Sequence, residues 1–304
     1  MKFVLLKMFS RFLNLLPNRV VLFFGDVLGW LWFRLIPVRK KVVVANITVA
    51  FGEELSPKEI QRLAARSLRH IGRVVFESIR SIVWSVDDFK RKVGFRGLEH
   101  LESYLQEKRG GFVISLHLGC WELNAGAGVA QGIPVDVIAK FARQEGMEPL
   151  MAWFRNRLGV NVIPETRSTP QILASVASGR WIGFMLDQFM GPPAGIPATF
   201  FGKTAGTTAS LAALSEQHKI ATVLGYTYRD ERGRVTMVIE PISYPAFSED
   251  LTQRIWEKTQ FLNDLLEKKV RQYPEQWMWL HRRWKPFNGV PKWNLQKPGP
   301  SPIS

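Results

Sequence analysis

The sequence predicts an α/β protein, an αβα sandwich around a mixed sheet, preceded by a hydrophobic helical segment that attaches to a membrane. Three observations carry this. From about residue 95, short apolar runs of strand character alternate with stretches of helical periodicity, the pattern that lays helices on both faces of a sheet. Two long amphipathic helices frame that region. The first 41 residues are far more apolar than the rest, and the 304-residue chain is long enough to bury one large core.

In order, Met1 to Pro17 sets Phe3, Leu6, Phe9 and Leu13 among Lys2, Lys7 and Arg11, and Val20 to Val38 is nearly continuous apolar sequence. No small-residue cleavage site comes after it, so this is no secretory leader. A spanning helix needs about 20 apolar residues, and Asp26 interrupts the run. An in-plane, half-inserted helix pair fits at least as well as a span, and Arg39, Lys40 and Lys41 are expected to hold the rest of the chain on the cytoplasmic side.

Ser56-Pro57-Lys58-Glu59 is a capping box with proline at the first helical position. The helix it opens runs to about Trp84, with a face rich in arginine from Arg62 to Arg80 that reads as a solvated basic surface. Strands are expected over 112–116, 135–139, 160–163 and 181–186, with helices over 122–130 and 148–158 and one opened by Thr169-Pro170. A helix over 206–218 comes next, then a hairpin of 221–228 and 235–240 around Asp230-Glu-Arg-Gly233. Ser248 is expected to cap a last long helix, stopped by Pro274. The domains are thus an anchoring segment 1–41, a main domain 42–290 and a loose tail 291–304.

A formal charge of +15 and a pI near 10.1 imply an anionic partner. Residues 1–41 alone hold eight Lys and Arg against Asp26. The single cysteine, Cys120, excludes an intramolecular disulfide framework and suits a reducing compartment. Eleven tryptophans fit a chain that meets an apolar–aqueous boundary.

His117 and Glu122, in Gly111-Phe-Val-Ile-Ser-Leu-His117-Leu-Gly-Cys-Trp-Glu122, are the leading candidates for chemistry. An apolar strand ends at a side chain that exchanges protons near neutrality, and a carboxylate stands just across a Gly-containing turn. Asp187 ends a second apolar strand, beside Gln188. Arg155 and Arg157, with Arg143 and Arg167, are candidates for cradling phosphate, which arginine does bidentately. A nucleophilic Cys120 beside His117 is open on spacing; a small apolar thiol next to Trp121 reads more simply as packing. No zinc-ligand spacing occurs, and Gly202-Lys203-Thr204 lacks the first glycine and the strand of a P-loop. Near the C-terminus, Pro274-Glu-Gln-Trp-Met-Trp-Leu-His281-Arg-Arg-Trp-Lys285 interleaves aromatics with bases, as suits nucleic acid or a lipid headgroup layer.

The run His117-Leu-Gly-Cys-Trp-Glu122 resembles the His-x-x-x-x-Asp/Glu motif of glycerolipid acyltransferases. The chain as a whole resembles their lipid A branch, the lauroyl/myristoyl acyltransferases. The likeness rests also on Arg155-Asn-Arg157-Leu-Gly159, Asp187-Gln188, Phe200-Phe-Gly202, Ala205-Gly-Thr207, and Pro274-Glu-Gln276 with Trp279 and His281-Arg-Arg283 beyond it. It implies an inner-membrane enzyme, acting at the cytoplasmic face, that moves a fatty acyl chain from acyl carrier protein onto a hydroxyl of a lipid A precursor. His117 would be the general base with Glu122 its partner, Arg155 and Asp187 further essential positions, and Arg157 and Arg167 would add to the substrate-binding set. The resemblance implies no cofactor, no metal and no nucleic acid, and its partners are the carrier protein, the glycolipid and anionic membrane lipids. Cys120-Trp121 inside the motif and Gln188-Phe189-Met190 after the aspartate leave the acceptor open to a mannosylated phosphoinositide, an ornithine lipid or a lysophospholipid. A non-enzymatic basic membrane protein would explain the charge, but not the ordered placement of His117, Glu122, Arg155 and Asp187.

Overall fold

A computed structural model of the chain describes residues 2–36, 38–139, 148–165 and 168–289. Four helices come first: α1 (Lys2–Leu15), α2 (Asn18–Leu35), α3 (Lys40–Phe51) and α4 (Pro57–Ser81). The capping box forms as expected, with the Ser56 hydroxyl accepting from Glu59 N–H and the Glu59 carboxylate from Ser56 N–H at 2.8 Å. Helices α2 and α4 cross in direct backbone contact. A Cβ on Gly72 would stand 2.1 Å from the Gly25 carbonyl oxygen, and one on Gly29 would stand 2.3 Å from that of Leu68. Only glycine permits that approach.

This crossing changes the meaning of two sequence features. Asp26, which interrupts the apolar run, makes a two-point pair with Arg73 of α4 at 2.7 Å. Arg80 turns inward and donates to Asn18 Oδ1 at 2.9 Å and to the Leu16 carbonyl. The arginine face of α4 is therefore partly the seat of α1 and α2 rather than a wholly solvated surface. The expected boundary at residue 41 falls within α3, whose Asn46 side chain donates to the Trp279 carbonyl at 2.7 Å.

After α5 (Val86–Lys92), the short β1 (Gly94–Arg96) and α6 (Glu102–Gln106) come β2 (Gly111–Ser115), α7 (Asn124–Ala130), β3 (Val135–Ala139), α8 (Glu148–Arg157), β4 (Asn161–Pro164), α9 (Thr169–Ala177) and β5 (Trp181–Met185). An antiparallel pair, β6 (Gly195–Phe200) and β7 (Lys203–Thr208), stands apart from the main sheet and precedes α10 (Ser210–Gln217). The hairpin of β8 (Ala221–Arg229) and β9 (Val235–Pro241) and the long α11 (Leu251–Gln272) complete the order. The main sheet runs β1-β9-β8-β2-β5-β3-β4, parallel except where β9 meets β8, so it is mixed as expected. Phe112, Ile114, Ile182 and Phe184 point to a core under α4, α9 and α11. Val135, Trp181, Val223 and Met237 point to a second core under α5, α7 and α8. Period-two alternation buries both faces.

Two expectations are corrected. The helix expected over 206–218 starts at Ser210, because residues up to Thr208 pair back on β6. The cap of α11 is Asp250, whose side chain accepts from Gln253 N–H at 2.7 Å; Ser248 lies two residues too early. Among the described residues, no single helix is long and apolar enough to cross a membrane. Fourteen of their eighteen exposed large apolar side chains nevertheless precede Arg39, Leu5, Met8, Phe12, Leu15 and Phe23 among them. Arg143, Arg167 and the tail from residue 290 lie outside the described residues.

Candidate active site

Strands β2 and β5 are parallel neighbours with Ser115 opposite Met185. Two residues beyond that pair, the same register sets His117 against Asp187. The imidazole Nδ1 lies 2.8 Å from Asp187 Oδ1, and His117 N–H donates to Asp187 Oδ2 at 2.8 Å. Trp277 Nε1 donates to the same Oδ2 at 2.7 Å. An ionised carboxylate only accepts, so Nδ1 carries a proton and Nε2 presents a lone pair. Gln188 Nε2 stands 3.3 Å from that Nε2 and 3.1 Å from Nε2 of His281.

Burial disfavours the imidazolium of His117, but the charge and hydrogen bond of Asp187, with the charge of Glu122 added, outweigh it and raise its pKa above the ordinary value. Burial would likewise raise the Asp187 pKa, yet the His117 charge and the converging N–H donors hold it below the ordinary carboxylate range. His117 is thus a basic imidazole with a fixed tautomer, its side chain only 12 % exposed.

The expected pairing of His117 with Glu122 is not the hydrogen bond that forms. Asp187 takes Nδ1, while Glu122 accepts from Trp121 Nε1 at 3.2 Å and lines the same cavity as His117. That cavity, about 200 Å³, is walled mostly by apolar and small residues of β2, β3, β5, α7 and α8, with His117, Glu122 and Arg155 as its charged or titratable members. The Arg155 side chain has no hydrogen bond or ion pair among the described residues. Arg157 is not brought to the cavity. Its guanidinium donates to the carbonyls of Trp84 and Ile82 and lies 4.9 Å over the Trp153 ring, a packing role.

Cys120 is fully buried, and burial with the nearby Glu77 pushes its thiol pKa up, so it is no accessible nucleophile. Gly119 N–H, one possible oxyanion donor, is spent on the Gln276 carbonyl at 3.1 Å. Gly119 has φ +60, and a Cβ there would meet the Thr227 carbonyl oxygen at 2.2 Å. Its own carbonyl accepts from His70 Nε2 at 3.0 Å.

Sequence reasoning missed three supports of the site. Trp277 holds Asp187, Gln188 bridges two histidines, and the fully buried Arg283 donates to the Gln188 and Gly206 carbonyls at 2.9 and 2.6 Å. Trp277 and Arg283 lie inside the basic-aromatic stretch, where even spacing through 277, 279, 281 and 283 is the one signal that half of it faces inward.

A fixed-tautomer imidazole beside a small apolar cavity can take a proton from a group that reaches its free nitrogen. Residues 2–286 match the family of bacterial lipid A biosynthesis acyltransferases, and the chain belongs to it. It is an acyltransferase. The lipid A biosynthesis lauroyltransferase of Escherichia coli (strain K12) is 25 % identical over 282 residues, covering 91 % of this chain and 89 % of that protein. The palmitoleoyltransferase of the same organism is 24 % identical over 277 residues, covering 89 % and 86 %. A lipid A biosynthesis acyltransferase of Haemophilus influenzae is 22 % identical over 279 residues, with the same coverages.

Proposed function

We propose that this enzyme transfers a fatty acyl chain from an acyl carrier protein thioester to a hydroxyl of a lipid A precursor, at the cytoplasmic face of the inner membrane. The observation that carries the reading is the His117–Asp187 pair, whose imidazole lines the apolar cavity. The acyl chain enters the cavity and leaves its thioester beside His117 Nε2. The acceptor hydroxyl displaces the Gln188 amide from that nitrogen and gives it its proton as the oxygen bonds to the thioester carbon. Asp187 keeps Nδ1–H in place and stabilises the imidazolium. Charge gathers on the former carbonyl oxygen, and Arg155, unpaired among the described residues, stands on the cavity wall to meet it. When the intermediate collapses, the carbon–sulfur bond breaks and the thiolate takes the proton from Nε2. Ester and free thiol leave, with no covalent acyl-enzyme. Glu122 adds a second negative charge that favours the imidazolium.

The exposed apolar face of α1 and α2 supports an in-plane seat in the bilayer. Arg11 and Arg19 on the same two helices supply charge for anionic headgroups. The test uses full-length protein in phospholipid vesicles with a lipid A precursor and a lauroyl carrier-protein thioester, read by mass spectrometry. The expected result is a product heavier by one acyl group, lost in His117→Ala. A folded His117→Ala enzyme that still transfers within tenfold of the parent overturns the reading.

A further inference from the structure

A second recess opens beside Gln188. It measures about 380 Å³ and is lined by Arg39, Gln188, Phe189, His281, Arg282 and Lys285. None of these six is acidic. Asp187, next in the chain, has both oxygens occupied by N–H donors from His117 and Trp277. Arg282 has no side-chain hydrogen bond or ion pair among the described residues, and no acid pairs with Arg39 or Lys285 there. Arg39 is set in place by donating one N–H to the Leu280 carbonyl at 2.9 Å, which leaves the rest of its fork free. Lys285 lies 5.4 Å over the Phe189 ring.

Three cations drawn from two distant stretches of chain would repel one another unless an anion joined them. Two guanidinium forks and an ammonium suit a group with several oxygens and more than one negative charge, which is phosphate rather than a single carboxylate. The recess also touches the reacting centre, because the Gln188 amide that lines it reaches Nε2 of His117. Burial and the neighbouring His117 lower the His281 pKa, with Arg39 and Lys285 adding to this, so near neutrality it contributes an uncharged ring.

We infer that Arg39, Arg282 and Lys285, with Gln188, form a phosphate subsite beside the catalytic histidine, which anchors a phosphorylated substrate so that its reacting atom meets His117. This rests on the acyl-transfer reading for which substrate is held. The phosphate comes either from the glycolipid acceptor or from the phosphodiester of the carrier protein's prosthetic arm.

The experiment compares the full-length parent with Arg282→Gln/Lys285→Gln. Lys108→Gln/Arg109→Gln, at the opposite end of β2, controls for loss of charge. One arm replaces the acceptor by its phosphatase-treated form, and the other replaces the carrier thioester by an acyl thioester of N-acetylcysteamine, which lacks phosphate. The site variant should raise the KM of one phosphorylated substrate about tenfold or more, the worth of a lost charge-assisted hydrogen bond, with kcat little changed. That penalty should vanish in one arm, which names the source. An unchanged KM, an equal rise in the control, or a penalty undiminished in both arms overturns the subsite. Independently of activity, inorganic phosphate should broaden in its ³¹P resonance with the detergent-solubilised parent and not with the site variant. Equal broadening with both, or none with the parent, overturns the subsite. Phosphate-dependent broadening without acyl transfer overturns the acyl-transfer reading and leaves the subsite standing.

Discussion

Replacing Asp187 by asparagine isolates what the strand-end pair contributes. Three N–H donors converge on two carboxylate oxygens: His117 Nδ1 on Oδ1, and His117 N–H with Trp277 Nε1 on Oδ2. An amide offers one oxygen and one NH₂. If the oxygen takes the place of Oδ2 it satisfies two donors, and the NH₂ then faces Nδ1, which must become the acceptor. The proton moves to Nε2, and the base is lost. The flipped amide points its NH₂ at two N–H groups and leaves both buried without an acceptor, at about 1–3 kcal/mol each. The first arrangement wins, so the enzyme folds with the wrong tautomer. The expected loss in kcat is roughly 10²–10⁴-fold, or about 2.7–5.5 kcal/mol in the barrier. The pH profile supplies a second readout. In the proposed mechanism His117 acts deprotonated, and its pKa is raised in the parent, so activity there is expected to climb with pH through a midpoint above the ordinary histidine value. Removing the Asp187 charge moves the residual activity's midpoint to lower pH. The assay is initial rate against pH at saturating donor and acceptor, with circular dichroism to confirm folding. A variant within tenfold of the parent, or a midpoint that moves upward, refutes the reasoning.

Three further outcomes are expected. His70 is buried, and burial with the Arg229 charge lowers its pKa to about 3, so the unfolded chain gains a proton below about pH 6.5 that the folded chain refuses. This group's share of stability therefore falls as pH drops from 6.5 toward 3, by up to about 1.4 kcal/mol per unit. Denaturation midpoints of His70→Asn should show a shallower acid decline than the parent, and parallel declines would refute this. Gly72→Ala places a Cβ 2.1 Å from the Gly25 carbonyl oxygen and should cost about 1–3 kcal/mol or more, read as a lower melting temperature and faster proteolysis of α2; an unchanged melting temperature refutes the close crossing. Exchanging Leu5, Met8, Phe12 and Phe23 for serine removes exposed apolar surface without touching a core, so vesicle flotation should fall at least tenfold, at about 0.8 kcal/mol per CH₂ no longer buried in lipid. Flotation equal to the parent would show that other surfaces hold the membrane.

The chain's local patterns were enough to determine the α/β class, the capping box at Ser56, and the two strand ends that carry His117 and Asp187, since short, mostly apolar runs stopped by a polar residue are visible without any contact. Period and punctuation are properties of neighbours in sequence. The pairing of β6 with β7 was less legible, because Lys203, Thr204 and Gly206 break the apolar alternation of that hairpin. Glu122 looked like the partner of His117 because it is near in the chain, whereas Asp187 is its partner in space. Only the register of two parallel strands, 70 positions apart at this point, brings the carboxylate to Nδ1. Register depends on how whole strands bury both faces against helices, and no local pattern encodes it. The same holds for the cationic recess. In sequence Arg39 belongs to the basic run after the apolar segment and Arg282 to the basic-aromatic stretch, and it took the return of that stretch over the ends of β2 and β5, pinned by Trp277 and Arg283, to place them beside one histidine.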